Sequence, residues 1–232
     1  MTTEVEIKKC RECGNEFEDH PVFLFGRRIS MKQACDPCVE IWERKFGTEE
    51  KEEETREWEA KFWKIVPALF RDTDARKLNK EIVDSVISWK YSSRGLGLRG
   101  ASGTGKTRCA ILLLKRQHDK GKKVGYLKAT NLTRCALDMF SDDKAIKAKA
   151  QTTISDATDC EILLLDDVGK GRLSPSAEEQ LYSILDTRTE NLRPTIWTTN
   201  ANAQQLHDMM SEDRGDAIIR RLADFSKIVI TD

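Results

Sequence analysis

The sequence predicts a three-layer α/β fold, a parallel sheet of five strands with helices on both faces, preceded by a small cysteine-bearing module. Three observations carry this reading. From about residue 95 onward short apolar strands alternate with helical stretches, and strands that alternate with helices pair in parallel, because each return to the sheet is made through a helix. The first of those strands runs straight into a glycine-rich turn, Gly100-Ala-Ser-Gly-Thr-Gly105, at the carboxyl end of the sheet, where such folds place their ligands. Four of the seven cysteines fall before residue 39, in two C-x-x-C pairs. A chain of 232 residues holds one such domain and leaves room for a modest module.

In chain order, residues 1–46 form the cysteine module. Cys10 and Cys13 make one pair and Cys35 and Cys38 the other. Thiolates in paired knuckles suit zinc, and four of them close a tetrahedral site with no open position, so the metal is structural. The spacing between the pairs is slightly wider than in most zinc ribbons. Binding zinc releases about 10 to 16 kcal/mol in small modules, enough to fold a segment whose own core is limited to Phe17, Val22, Phe23, Leu24, Phe25 and Ile29. A redox pair is the competing reading of each C-x-x-C, and the lack of a βαβ context counts against it. Phe23, Phe25, Arg27, Arg28 and Lys32 mix aromatic and basic residues on a hairpin between the knuckles. That mixture suits single-stranded DNA or a protein partner equally well. His20 reads as a surface or turn residue rather than a fifth ligand.

Residues 47–66 form a charged helical linker. Charge density jumps at Gly47, and Trp58, Phe62, Trp63 and Val66 recur at helical spacing. Pro67 ends this helix, and a second follows through Leu78, Ile82, Val83, Val86 and Ile87. The larger domain spans 67–232, with strands at 95–100, 124–128, 161–165, 195–199 and 227–231. Between them lie helices at 106–119, within 132–158, at 175–190 behind Ser174-Pro175, and within 203–223. The remaining cysteines, Cys109, Cys135 and Cys160, read as small core residues.

Composition excludes more than it assigns. Lys and Arg balance Asp and Glu at 39 each, so no net field steers the chain toward nucleic acid or membrane, and any such contact is a local patch. The longest aliphatic runs, at 111–114 and 162–165, are too short to span a bilayer. A cytoplasmic protein without membrane partners is expected.

The chemistry is concentrated in three motifs. Gly100 to Thr107 matches G-x-x-x-x-G-K-S/T between an apolar strand and an amphipathic helix. In that setting the loop of Gly100, Ser102, Gly103, Thr104 and Gly105 turns backbone N–H groups around the phosphates of ATP or ADP, Lys106 adds a point charge, and Thr107 ligates magnesium. Ile162-Leu-Leu-Leu-Asp166-Asp167 is a buried strand ending in two carboxylates. Asp166 is read as the second magnesium group and Asp167 as the one that polarises the attacking water. Thr195-Ile-Trp-Thr-Thr199-Asn200 brings a polar strand end beside the phosphates if it lies between the other two strands, and either Asn200 or Thr199 then holds the water. Arg220 and Arg221, near the C-terminus, are either a surface pair or a group that completes a neighbouring subunit's site.

Taken together, GASGTGKT, ILLLDDVG, TTN and IIRRL, in this order and spacing, resemble the AAA+ ATPases of the DnaC and IstB type, replicative helicase loaders and transposition helpers of bacteria and phages. The resemblance runs from about Val66 to the end and includes the lead-in Pro67-Ala-Leu-Phe-Arg-Asp-Thr73. It implies an ASCE-type P-loop NTPase in which Lys106 and Thr107 are the Walker A pair, Asp166 and Asp167 the Walker B acids, Asn200 sensor 1, and Arg221 the arginine finger, with Arg220 second. It also implies self-association, a hexameric replicative helicase as partner, docking on it through the N-terminal module, and single-stranded DNA held near Lys128, Arg134, Lys144, Lys147 and Lys149. Two departures follow. The family usually has glutamate where Asp167 stands, which implies slow, switch-like hydrolysis. The helical lid with its sensor 2 arginine is not expected, so nucleotide affinity depends on a neighbouring subunit.

Overall fold

The computed structural model describes residues 5–19, 23–24, 27–28 and 33–231, and the chain divides into two compact units, Met1–Ala60 and Lys61–Asp232. In the first unit β1 (Glu6–Lys9) and β2 (Glu16–Asp19) form an antiparallel ladder, and Lys8 forms an ion pair with the buried Asp19 carboxylate at 2.5 Å. The turn between them carries Cys10 and Cys13. β3 (Phe23–Leu24) and β4 (Arg27–Arg28) pair antiparallel, which is the hairpin expected between the knuckles. Of the residues assigned to that hairpin and its core, Val22, Phe25, Ile29 and Lys32 lie outside the described residues, as does His20.

Helix α1 (Asp36–Ile65) opens with an acid and a proline in its first turn, positions where both are tolerated or favoured. It runs on past Gly47 without a break, so the jump in charge density there is a change of surface within one helix. The helix stops before Pro67, which caps a short 3-10 turn at Ala68–Phe70.

In the second unit five parallel strands are ordered β6-β7-β8-β5-β9, where β5 is Gly95–Gly100, β6 Val124–Lys128, β7 Ile162–Val168, β8 Thr195–Thr199 and β9 Ser226–Thr231. Alternation along β7 shows how both faces are filled. Ile162 and Leu164 join a core with α2 (Lys80–Ser88) and α3 (Lys106–His118). Leu163 and Leu165 face the opposite core, built on α4 (Leu132–Asp138), α5 (Lys144–Asp159), α6 (Pro175–Glu190), α7 (Ala203–Asp208) and α8 (Glu212–Asp224). A strand buried on both sides reads as a continuous apolar run. Phe62 and Val66 belong to the first of these cores. Gly97 lets the Trp197 ring lie across β5, since a Cβ there would stand 2.4 Å from it.

Local signals match the helix boundaries. Asn79, Asp143, Ser174 and Asn202 cap α2, α5, α6 and α7 through their side chains. Cys109 and Cys160 are core residues as expected, whereas Cys135 is only half-buried, because its side of α4 borders a surface groove. No helix among the described residues is long and apolar enough to cross a membrane.

Candidate functional site

The carboxyl ends of β5 and β7 face a cleft of about 770 Å³, within the range of small-molecule sites. Ser102, Gly103, Thr104, Gly105, Lys106 and Thr107 line one side, and Asp166, Asp167 and Asn200 another. Gly100 ends β5 just before the loop.

Gly103 and Gly105 hold φ of 85° and 86°, backbone that a side chain would strain. Gly105 is also the N-cap of α3 and supplies no side-chain cap, so the first amides of that helix keep their hydrogens for an anion. Lys106 is buried, and its ammonium donates to the carbonyls of Gly100 at 2.9 Å and Ala101 at 2.7 Å. Burial holds its pKa below the ordinary lysine value, against the pull of Asp167 and Asp166.

The two acids sit on a β-bulge. β7 follows β8 as far as Leu165 opposite Trp197 and resumes with Val168 opposite Thr199, so Asp166 and Asp167 share one partner, Thr198. The Thr198 hydroxyl donates to Asp166 Oδ1 at 2.7 Å and accepts the Asp167 N–H at 2.9 Å. Asp167 adopts a φ of 59°, the left-handed region that aspartate tolerates better than most residues. The strand was expected to stop at 165; it continues through both acids because Thr198 supplies the bonds that the bulge removes.

Asp166 is 3% exposed and takes three hydroxyl donors. Thr107 and Thr198 donate to Oδ1, each at 2.7 Å, and Tyr126 donates to Oδ2 at 3.0 Å. Burial, then the Asp166 charge, raises the Tyr126 pKa and keeps it a donor. A hydroxyl and a buried carboxylate held together at the mouth of a phosphate-sized loop are the hard oxygen donors that magnesium takes, so the residues fit the ion. Asp167 Oδ2 lies 3.6 Å from Lys128 and 3.4 Å from Lys170.

β8 lies between β7 and β5, the condition set for Asn200. Asn200 is exposed at the cleft. Thr199 is committed to structure, since its hydroxyl donates to the Val168 carbonyl and accepts from the Ala201 N–H. Arg221 lies away from the cleft, held by Asp186 and by the Tyr182 ring at 4.5 Å. Arg220 is exposed, with no hydrogen bond or ion pair among the described residues. Sequence reasoning missed Tyr126, Thr198 and Lys170. A threonine inside a strand that is otherwise buried signals that its hydroxyl has a partner, and that signal points to Thr198. Nothing local marks Tyr126.

The 67–78 lead-in forms another wall of the cleft, with Pro67, Phe70, Asp74 and Leu78 in it. Arg108, next to Thr107, pins this segment to α3, donating to Thr73 Oγ1 at 3.0 Å with its guanidinium 5.5 Å from the Phe70 ring centre.

In the first unit the sulfur atoms of Cys10, Cys13, Cys35 and Cys38 lie within 4.8 Å of one another. Cys13 and Cys35 are 3.6 Å apart, close to the roughly 3.8 Å between thiolates around a tetrahedral zinc at about 2.3 Å. The Arg11 N–H bonds the Gln33 carbonyl and draws the two knuckles together. The backbone N–H groups of Cys13 and Cys35 pull Cys10 down to about 6, while the neighbouring Cys35 and Cys13 thiols push Cys38 up. Four sulfur atoms at this spacing form a tetrahedral ligand set, and the cluster can hold zinc.

The family described as IstB-like ATP binding protein matches residues 65–232. The chain belongs to that family. Among curated proteins this IstB-like chain is similar to the "Replicative helicase loader DnaC" of Escherichia coli (strain K12), 22% identical over 138 residues that cover 60% of this chain and 52% of the relative. It thus spans about half the length of the curated relatives it matches. Its fold is that of the solved structure titled "Crystal Structure of the DnaI", with a TM-score of 0.58 at 19% identity over 71% of this chain and 94% of that one. AMPPCP-bound DnaA from Aquifex aeolicus gives 0.53 at 19% over 66% and 45%, and the DnaC helicase loader 0.51 at 22% over 74% and 99%. The IstB-like domain is therefore an ATP-binding AAA+ fold with a five-stranded parallel sheet.

Proposed function

We propose that this protein hydrolyses ATP slowly and, as an oligomer, loads a hexameric replicative helicase onto single-stranded DNA when replication initiates. The observation that carries the ATPase part is the 2.7 Å bond between Thr107 and the buried Asp166, which joins the glycine loop to the acidic bulge across adjoining parts of one sheet.

The loop amides and Lys106 hold the β- and γ-phosphates, the ammonium exchanging its loop carbonyls for phosphate oxygens. Thr107 and Asp166 would hold magnesium, which would supply neutralisation of the charge on the phosphates. Asn200 orients a water, and Asp167 takes its proton as its oxygen bonds to the γ-phosphorus and ADP leaves with the bridging oxygen. Asp167 is one methylene shorter than glutamate and has two lysines beside it, which favours slow turnover. Because Arg221 is engaged within its own chain, we assign the arginine that completes a neighbour's site to Arg220, reversing the preference read from sequence.

The partners rest on similarity to a helicase loader and on surface chemistry. Phe140 is 81% exposed just ahead of α5, where Lys144 and Lys147 are exposed, and an adjoining groove is lined by Lys128, Arg134 and Lys149. Bases stack on aromatics while phosphates meet cations. The zinc module is assigned to docking on the helicase, with single-stranded DNA as its other candidate. The IstB-like match supports a second reading, a transposition helper.

Lys106→Ala should lose ATP binding with its circular dichroism unchanged; undiminished binding removes the phosphate-loop assignment. Phosphate release should rise with single-stranded DNA and vanish in Asp167→Ala, and persistence in that variant defeats the catalytic role. Capture by the tagged chain of a hexameric helicase supports loading, and capture of a transposase alone supports the second reading.

A further inference from the structure

The hydroxyl of Tyr126 stands apart from the other groups around Asp166. On β6 Tyr126 pairs with Leu164, two residues before Asp166 on the same face of β7, so the phenol reaches diagonally across the strand pair, a span that only a long side chain covers. It lines the cleft and is the sole donor to Asp166 Oδ2 among the described residues. The other two donors each have a second task. Thr107 is a proposed metal ligand, and Thr198 also secures the bulge through the Asp167 N–H. Among the described residues, the Tyr126 hydroxyl is hydrogen-bonded to this machinery through Asp166 alone.

We infer that Tyr126 is a positioning residue for the magnesium site, its hydroxyl locking the rotation of the Asp166 carboxylate so that the oxygen pair meets the metal and its water shell in one orientation. This rests on the ATP–magnesium reading of the cleft. A carboxylate is free to turn about its last torsion. Donors on Oδ1 alone leave Oδ2 able to swing, and a swing also loosens the bond from Thr107. With Tyr126 in place both oxygens are tied from opposite sides, by β6 on one and by β8 and α3 on the other.

The test is magnesium-dependent binding of a fluorescent N-methylanthraniloyl ATP to the full chain, read without turnover. Tyr126→Phe keeps the ring and should bind the nucleotide in EDTA as the parent does, yet need about tenfold more magnesium for the tightened state, the worth of one hydrogen bond to a charged group. Tyr126→Leu, which loses the ring as well, should show the same displaced midpoint. A parental magnesium midpoint in Tyr126→Phe overturns the assignment, and a shift in the Leu variant alone makes Tyr126 a packing residue and overturns it too. If the parent chain binds nucleotide with no magnesium response, the reading of the cleft falls first and this assignment with it.

Discussion

At the scale of single residues the site works by assigning each polar group a small number of partners. Asp167 is the instructive case, because the bulge that aims it into the cleft also sets it between Lys128 and Lys170. An ion pair holds the carboxylate on the lysine and off the attacking water. Lys170 is the more exposed of the two cations, and an exposed pair of this kind is worth up to about 1 kcal/mol. Lys170→Ala should therefore raise basal phosphate release by about two- to fivefold with ATP affinity unchanged; a slower variant would mean that Lys170 serves the phosphates instead. The placement of Lys106 and Asp166 at the cleft was legible because each belongs to a spaced motif on a recognisable element. Thr198 was not, since its neighbour Thr199 has the same chemistry and only the strand register decides which of them faces the acids.

At the scale of elements, Arg188 shows what holds the sheet and its helices in register. It is fully buried on α6 and carries no carboxylate partner among the described residues. Its guanidinium donates to the carbonyls of Ala157 at 2.9 Å, Cys160 at 2.8 Å and Pro194 at 2.7 Å and to Thr195 Oγ1 at 3.1 Å. One side chain thereby satisfies the open carbonyl end of α5 and the entry to β8. Burial lowers its pKa, yet arginine stays charged. Arg188→Met should leave those carbonyls unpaired and cost about 3 kcal/mol or more in urea unfolding, with Arg188→Lys between the two. Parental stability in the Met variant would show that water or repacking replaces the bonds. In sequence Arg188 reads as the basic residue in the last turn of a helix, and its burial follows from packing against α5 and β8.

At the scale of the whole molecule the chain is two compact units with separate needs. The second has two apolar cores around one sheet; the first has short ladders and a cysteine cluster, and small modules commonly fold on their metal. Elemental analysis should find about one zinc per chain, absent when Cys10 and Cys13 are both replaced by serine. Chelation should expose the four thiols to titration and leave ATP affinity within about twofold. A folded, metal-free first unit would refute the metal site, and loss of ATP binding on chelation would refute the separation. The composition break at Gly47 lies inside α1, because a helix continues through any change of surface charge that leaves its backbone bonds intact.

What the residues alone determined was the repertoire: strands alternating with helices, a phosphate-type loop at a strand end, a pair of acids at another, and paired cysteines. These follow from local spacing, which is set by the periods of helix and strand and by the turns glycine permits. Tertiary structure decided which groups meet. It placed β8 between β7 and β5, turned Thr198 and Tyr126 onto Asp166, tied Arg221 to Asp186 and left Arg220 free among the described residues. Such pairings depend on register and packing between segments distant in the chain, and no short window of residues encodes them.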